Sequence, residues 1–442
     1  MSSYYSLFVL GLSIFLIVLL TARFRINAFF ALLIVTLLTG FLIGASPMEV
    51  VQIMKSSLGN TLGKIGLVIL LGMLLGTILE KTKATLSIAY YILRRTGVKQ
   101  VPLAIALVGF LVGLPIFCDA AFVVLSSLNK SVVQRAKLSM PMMATILGSA
   151  LYAVHCLVPP HPGILAATEQ MQLSLGAVLI GGVLLAIPTV FVAFLWARRF
   201  ANGQTAPTIL AATTETEKTP SIIQAIIPIL VPILLIAMQV FVPLWLTPAS
   251  ESAWWTQGLL FLGEPFVALL VGVLLALLLL VCPPYQAFNS WLSESLSKAG
   301  VILAIIAAGG MFGAMLEAAN IGKSLGSWLK PLNLGVFFPF LVAAVLKTAQ
   351  GSSTVAVITA ASLCYALLPD LGLASEMGRI LAVLAMGAGS MTVSHTNDSY
   401  FWVVAQFSEL EARTTFRSFS MATLLMGFFA QTVVFLSTFF VL

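Results

Sequence analysis

The chain has 442 residues, of which 60% are hydrophobic and 8% are charged, and its formal net charge is +7. Soluble domains carry about 25% charged residues, so this composition excludes a water-soluble protein and predicts an all-α polytopic membrane protein in contact with lipid. Because membrane proteins concentrate Lys and Arg in cytoplasmic loops, the positive charge does not indicate a nucleic-acid partner.

Apolar runs long enough to cross a bilayer, which takes about 20 residues per helix, recur in two groups. The first lies near 5–22, 27–46, 64–80, 137–165 and 173–197, and the second near 221–244, 259–281, 300–318, 376–404 and 416–441. Between the groups, the polar stretch 199–220 predicts a cytoplasmic linker. We therefore expect about ten membrane-crossing helices.

Four interruptions divide apolar regions of the chain. Regions 101–128 and 334–368 are broken at 113–119 and 347–354 by Gly, Pro and polar residues, which predicts two re-entrant hairpins. Breaks at 155–163 and 394–399 predict that helices 137–165 and 376–404 are discontinuous. Shorter segments near 47–60, 84–97 and 285–297 are typical of helices that lie along the membrane interface.

The two groups of runs correspond to each other in order. Asn27–Leu33 matches Glu264–Leu270, Gly76–Glu80 matches Gly313–Glu317, Gly113 matches Gly351, and His155 matches His395. Each half, 1–198 and 221–442, then has five crossings and one hairpin, so the second copy inserts upside down. This pattern predicts an inverted-repeat transporter. With the N-terminus outside, all Lys and Arg residues except Lys347 in the second hairpin divide between the two sides of the membrane. Only Lys55, Lys64, Lys323, Lys330 and Arg379 fall outside, and the others fall in cytoplasmic loops.

The four interruptions predict the position of the binding site, because irregular backbone at membrane depth is tolerated only where it is buried in protein or lines a cavity. Free N–H groups at half-helix N-termini favour an anionic substrate, and the Ser, Thr and Asn side chains favour a polyhydroxy acid. The predicted substrate-binding residues are Gly113, Pro115, Asp119, His161, Lys347, Gln350, Gly351, Ser352, Ser353, Thr354, Ser394, His395, Thr396, Asn397 and Asp398.

Asp119, His395 and Asp398 are the predicted proton-coupling residues. A carboxylate at the bilayer centre costs about 2.5 kcal/mol or more, so Asp119 and Asp398 need a reason to be there. Either they gain and lose a proton during transport, or they cap half-helices or pair with Lys347. Lys347 itself could attract the substrate, neutralise an aspartate or reach the outer interface. His155 and His161 could act directly or only satisfy the carbonyls of an unwound helix.

At these interruptions the chain closely resembles the gluconate permease family. The resemblance is carried by Gly113–Asp119, Val158–Gly163, Leu346–Thr354 and Met391–Trp402, and it extends over essentially the whole chain. It implies a proton symporter of the bacterial inner membrane, working as a homodimer by an elevator-like movement. The family contains relatives that look like carriers for gluconate, D-serine, glycerate, idonate or fructuronate. The resemblance therefore does not identify the substrate of this chain. Ala120 and Ala121 stand where a Ser-Gly pair is expected in gluconate carriers.

Three other functions are alternatives to proton symport. Sodium coupling is possible in principle because unwound carbonyls and hydroxyls also bind sodium. A membrane enzyme is disfavoured because no catalytic spacing is recognisable, and a passive channel is disfavoured by the duplicated broken helices. The four cysteines follow neither zinc nor haem spacing, so we expect no metal and no cofactor.

Overall fold

The computed structural model describes residues 3–95, 100–201, 219–245, 254–280, 285–318, 334–396 and 398–441, and every regular element in these ranges is a helix. The first half contains α1 (Ser3–Val18), α2 (Ala28–Leu42), α3 (Pro47–Lys81), α4 (Ala84–Arg95), α5 (Val101–Gly113), α6 (Cys118–Ala136), α7 (Met140–Leu157), α8 (Pro162–Gln170) and α9 (Leu175–Trp196). Most of the expected linker, 199–220, lies outside the described residues.

The second half contains α10 (Ile222–Trp245), α11 (Trp254–Gly263), α12 (Pro265–Leu280), α13 (Tyr285–Ala318), α14 (Phe337–Gln350), α15 (Ser353–Tyr365), α16 (Glu376–Met391), α17 (Ser399–Phe407), α18 (Ala412–Thr415) and α19 (Met421–Val441). Short π-helical turns extend α1, α9 and α18 at Leu19–Arg23, Ala197–Ala201 and Phe416–Ser420.

Within the described residues, five helices are long and apolar enough to cross a membrane, and seven are if each of two bent pairs counts as one span. One bent pair is α3, which turns by 45° between Lys64 and Gly66, and the other is α11 with α12, at 75°. Several apolar helices are shorter, such as the 15-residue α2. The chain is therefore an all-helical membrane protein, and the count of about ten crossings stays a prediction.

Two segments expected as separate interfacial helices are parts of longer helices. Residues 47–60 form the beginning of the 35-residue α3, and residues 285–297 form the beginning of the 34-residue α13. No proline interrupts either segment, so each helix continues from its polar beginning into an apolar run, and a position along the interface stays a prediction for these beginnings. Ser46 caps α3 by accepting a hydrogen bond from the Glu49 N–H at 3.3 Å.

The helices form two groups that position the site. The frame helices, α2, α3, α12 and α13, pack on one another around the α3–α13 contact, where Ser295 donates to the Thr77 hydroxyl at 2.9 Å. The site helices are α5–α8 and α14–α17. Helices α5, α6, α16 and α17 pack on α7, all of whose residues are buried, and α14 and α15 pack on α16. Within this group α15 of the second half lies against α8 of the first half, and α17 of the second half lies against α6 of the first half. Helices from both halves therefore meet where the helices are interrupted.

Candidate functional site

The chain turns sharply between α14 and α15, in the region predicted to form the second hairpin. Gly351 ends α14 with φ +82°, a left-handed conformation that favours glycine, and its N–H donates to the Lys347 carbonyl at 2.8 Å. Ser352 then begins α15 by accepting a hydrogen bond from the Val355 N–H at 3.3 Å. This turn places the Lys347 side chain and the N-terminus of α15 beside each other.

Lys347 and Asp398 form a buried ion pair at the centre of the site helices. The Lys347 side chain is fully buried, and its Nζ lies 2.6 Å from Oδ2 of Asp398 and donates to the Gly351 carbonyl at 2.7 Å. The same Oδ2 accepts a hydrogen bond from Ser394 at 2.5 Å, and the Tyr152 hydroxyl lies 3.5 Å away. The pair thus joins the α14–α15 turn to the α16–α17 break.

Asp398 also begins α17. Its Oδ1 accepts a hydrogen bond from the Tyr400 N–H at 3.0 Å, so one carboxylate caps the half-helix and pairs with the lysine at once. Both structural roles weighed for this aspartate in the sequence are therefore present. Asp119, in the first turn of α6, lies close enough to interact electrostatically with both Asp398 and Lys347.

The α7–α8 break meets the α14–α15 turn on the other side. Thr354 Oγ1 lies 3.5 Å from Nε2 of His155, and Gly163 packs so closely that an added Cβ would lie 3.1 Å from the Thr354 Cα. His161 contacts the Gly113 carbonyl through Nε2 at 2.8 Å, so it satisfies a carbonyl where α5 ends. Ser353 lies close enough to Tyr152 and Cys156 to interact electrostatically with both.

Other predicted site residues lie farther from this centre. The His395 ring faces the Thr348 carbonyl at 3.3 Å, and Thr396 is exposed and accepts a hydrogen bond from Trp402 through its carbonyl. The Pro115 carbonyl packs against Gly76 of α3. Asn397 and the side chain of Gln350 lie outside the described residues.

Tyr152 was missed by the sequence reasoning. Its side chain is buried between the ion pair and Tyr400, with ring centroids 5.3 Å apart, and Lys347 Nζ lies 5.8 Å from its ring. It escaped notice because it lies inside an unbroken apolar helix. The available signal was its position one helical turn before His155 and Cys156, which places all three on one face of α7.

A polar cavity of about 160 Å³ lies at the far ends of α8 and α15, and its lining includes Asn60, Gln170, Glu317 and Tyr365. A second cavity of about 530 Å³ is lined in part by Glu264 and Glu376. Lys64 and Glu169 line both cavities and form an ion pair of 2.6 Å between α3 and α8. On the topology predicted from the sequence, these cavities face outward.

The comparison with protein families matches residues 5–440 to the GntP family permease model. The chain belongs to this family. Its GntP relatives include the gluconate permease of Pseudomonas aeruginosa, 32% identical over 93% of this chain and 92% of that protein. They also include the D-serine transporter DsdX of Escherichia coli K12, 30% identical over 97% of both chains. The predicted resemblance is therefore confirmed, and the chain is a multi-pass inner-membrane permease and not an enzyme.

The fold is also similar to a solved structure, the YdaH transporter of Alcanivorax borkumensis, whose description reports an unusual topology. The match has a TM-score of 0.65 and 16% identity, and it covers 89% of this chain and 90% of that one. At this identity the likeness shows the fold alone.

Proposed function

We propose that this GntP permease imports a small sugar acid or hydroxy acid, such as gluconate, together with a proton. The observation that carries the proposal is Lys347, a fully buried cation at the junction of a helix turn and a helix break. Hydroxyls of Ser353, Thr354 and Ser394 surround this junction, and they suit the hydroxyl groups of such a substrate. The name of the gluconate permease relative agrees with this substrate class.

Half-helix N-termini add to the anion preference. Helices α6 and α8 begin after Phe117 and His161 without a side-chain capping hydrogen bond, which leaves backbone donors in their first turns available to a ligand. In α8 these donors start at Gly163, because Pro162 has no N–H. Oriented N–H groups at such ends attract carboxylates. Asp119, in the first turn of α6, adds a negative charge close to Lys347 and Asp398.

The proposed transport mechanism is an elevator-like movement of the site helices against the frame, within an inverted repeat and a homodimer. In support, the two hairpins sit at different heights on matching frame helices. Gly76 of α3 and Gly313 of α13 occupy matching positions in the two halves. Gly76 faces Pro115, and Gly313 faces Ser362. If the two contacts matched, Gly313 would face Ser353, because the match of Gly113 with Gly351 pairs Pro115 with Ser353. The difference of nine residues (362 − 353) along α15 is about 14 Å at 1.5 Å per residue.

The test is uptake of labelled gluconate into liposomes that contain the purified protein. We expect accumulation above the external concentration when an inward proton gradient is imposed in sodium-free buffer, and its collapse with a protonophore. If accumulation required sodium, the coupling ion would be sodium and not the proton. Equilibration of gluconate without accumulation would indicate a channel. Competition by glycerate, idonate and D-serine then ranks the substrates; inhibition by D-serine alone would contradict the sugar-acid proposal.

A further inference from the structure

We infer that the substrate carboxylate displaces Asp398 from Lys347, and that the displaced Asp398 carries the symported proton, one for each carboxylate imported. The inference rests on the proposed function. It selects one carrier from the three predicted coupling residues, and it follows from two carboxylates competing for one buried ammonium.

Lys347 is already neutralised in the structure. Two of its three N–H donors are used, one by Asp398 at 2.6 Å and one by the Gly351 carbonyl at 2.7 Å. A substrate carboxylate that joins this lysine leaves the site with an extra buried negative charge unless Asp398 is protonated. An unpaired buried charge costs about 3–5 kcal/mol, so the proton is strongly favoured.

The surroundings of Asp398 accommodate a proton without losing hydrogen bonds. Oδ2 faces the hydroxyls of Ser394 and Tyr152, which accept hydrogen bonds as well as donate them. Oδ1 keeps the Tyr400 N–H in both protonation states. The charged and titratable groups that interact with Asp398 are Lys347 from α14, Tyr152 and Cys156 from α7, Cys118 and Asp119 from α6, and Tyr400 from α17.

Asp119 and His395, the other two predicted proton carriers, are less suited than Asp398 to compete with the substrate carboxylate for Lys347. The ion pair of Lys347 is with Asp398, so a substrate bound to the lysine does not have to displace Asp119. The His395 ring faces the Thr348 carbonyl instead of the ion pair. Asp398 is therefore the group whose charge changes partner when substrate arrives.

The charge balance explains obligatory coupling. The empty site holds the Lys347–Asp398 pair, and the loaded site holds Lys347 with the substrate carboxylate and a neutral Asp398. The proton comes from water on the loading side and leaves with the substrate on the other side. Substrate without proton, or proton without substrate, leaves one buried charge unpaired and is disfavoured.

Asp398→Asn separates the two parts of this cycle. Asn cannot take a proton, yet its side-chain oxygen can still cap α17. In liposomes we expect the variant to exchange internal for external gluconate but not to accumulate it, because the empty site with an unpaired Lys347 does not return. The matched control is Asp370→Asn, the same change in the loop after α15. Accumulation by Asp398→Asn overturns the inference while the proposed function stands.

Substrate affinity as a function of pH provides a measurement that does not need the full cycle. With one proton taken up per gluconate, the wild-type dissociation constant increases about tenfold per pH unit at high pH, and for Asp398→Asn it stays flat. A wild-type dissociation constant that does not change with pH overturns the inference. So does a pH dependence that is lost in Asp119→Asn and kept in Asp398→Asn. No gluconate binding or exchange by the wild type defeats the proposed function itself.

Discussion

At the scale of single residues, the Lys347–Asp398 pair dominates the energetics of the site. Both side chains are almost completely removed from solvent, at 0% and 5% exposure. Removing one partner of such a pair leaves an uncompensated charge, whereas removing both leaves neutral groups. Each partner is therefore needed to offset the charge of the other, although the pair as a whole is not required for folding.

We expect Lys347→Gln to destabilise the protein by about 3–5 kcal/mol at alkaline pH, where Asp398 is left charged and unpaired, and by less at acid pH, where Asp398 takes up a proton. The double variant with Asp398→Asn should recover most of this loss, since no charge remains. Thermal unfolding in detergent measures both. Equal unfolding temperatures for the single and double variants would show that the two side chains do not depend on each other.

Ser353 is the residue to test for substrate contact. It is the first residue of α15, beside Thr354, and it interacts with Tyr152 and Cys156 near the ion pair. Ser353→Ala should raise the apparent substrate constant more than it lowers expression, because a hydroxyl partner is lost. Kinetics of labelled uptake, normalised to protein in the membrane, measure this. An unchanged substrate constant would place the hydroxyl outside the site.

At the scale of helices, the breaks could be predicted because their signals are local. Gly, Pro and Ser residues mark the ends of α5, α7, α14 and α16, and the structure ends these helices at Gly113, Leu157, Gln350 and Met391. The continuity of α3 and α13 was not predicted, since a polar segment alone does not distinguish an interfacial helix from the start of a longer one. Lys347 pairs with Asp398 and not with Asp119. This choice depends on tertiary packing, which the spacing of residues along the chain does not reveal.

The turn between α14 and α15 is the element most sensitive to substitution. Gly351→Ala places a side chain in a left-handed conformation, at a cost of about 1–2 kcal/mol, and shifts the carbonyl that Lys347 contacts. We expect lower thermal stability and weaker substrate binding.

The control is Gly59→Ala in α3, where no neighbour lies within 4 Å of an added Cβ. Because alanine favours a helix over glycine by about 1 kcal/mol, this variant should be at least as stable as the wild type. Wild-type binding and stability in Gly351→Ala would show that the turn does not set the lysine position.

At the scale of the whole molecule, the proposed elevator movement predicts a second state in which the contacts of the two helix pairs, α5–α6 and α14–α15, with the frame are exchanged. Spin labels at Met48 of α3 and Met377 of α16, both exposed, report the distance between frame and site helices. We expect two distance populations that differ by roughly 10–15 Å, with the ratio changed by gluconate and a proton gradient. Labels at Met48 and Leu278, both on frame helices, should give one population. A single, ligand-independent distance for the first pair would contradict the elevator movement.

The Lys64–Glu169 pair between frame helix α3 and site helix α8 gives the medium a means of influencing transport. Unlike the central pair, it is accessible to water, with side-chain exposures of 58% and 28%. Exposed pairs contribute at most about 1 kcal/mol, and dissolved ions weaken them because the screening length is only about 8 Å at physiological ionic strength. On the topology predicted from the sequence this pair faces outward, so higher salinity should weaken the contact between α3 and α8 by a small, graded amount. The turnover of this permease should then vary with the ionic strength outside the cell, even though its buried site does not sense it.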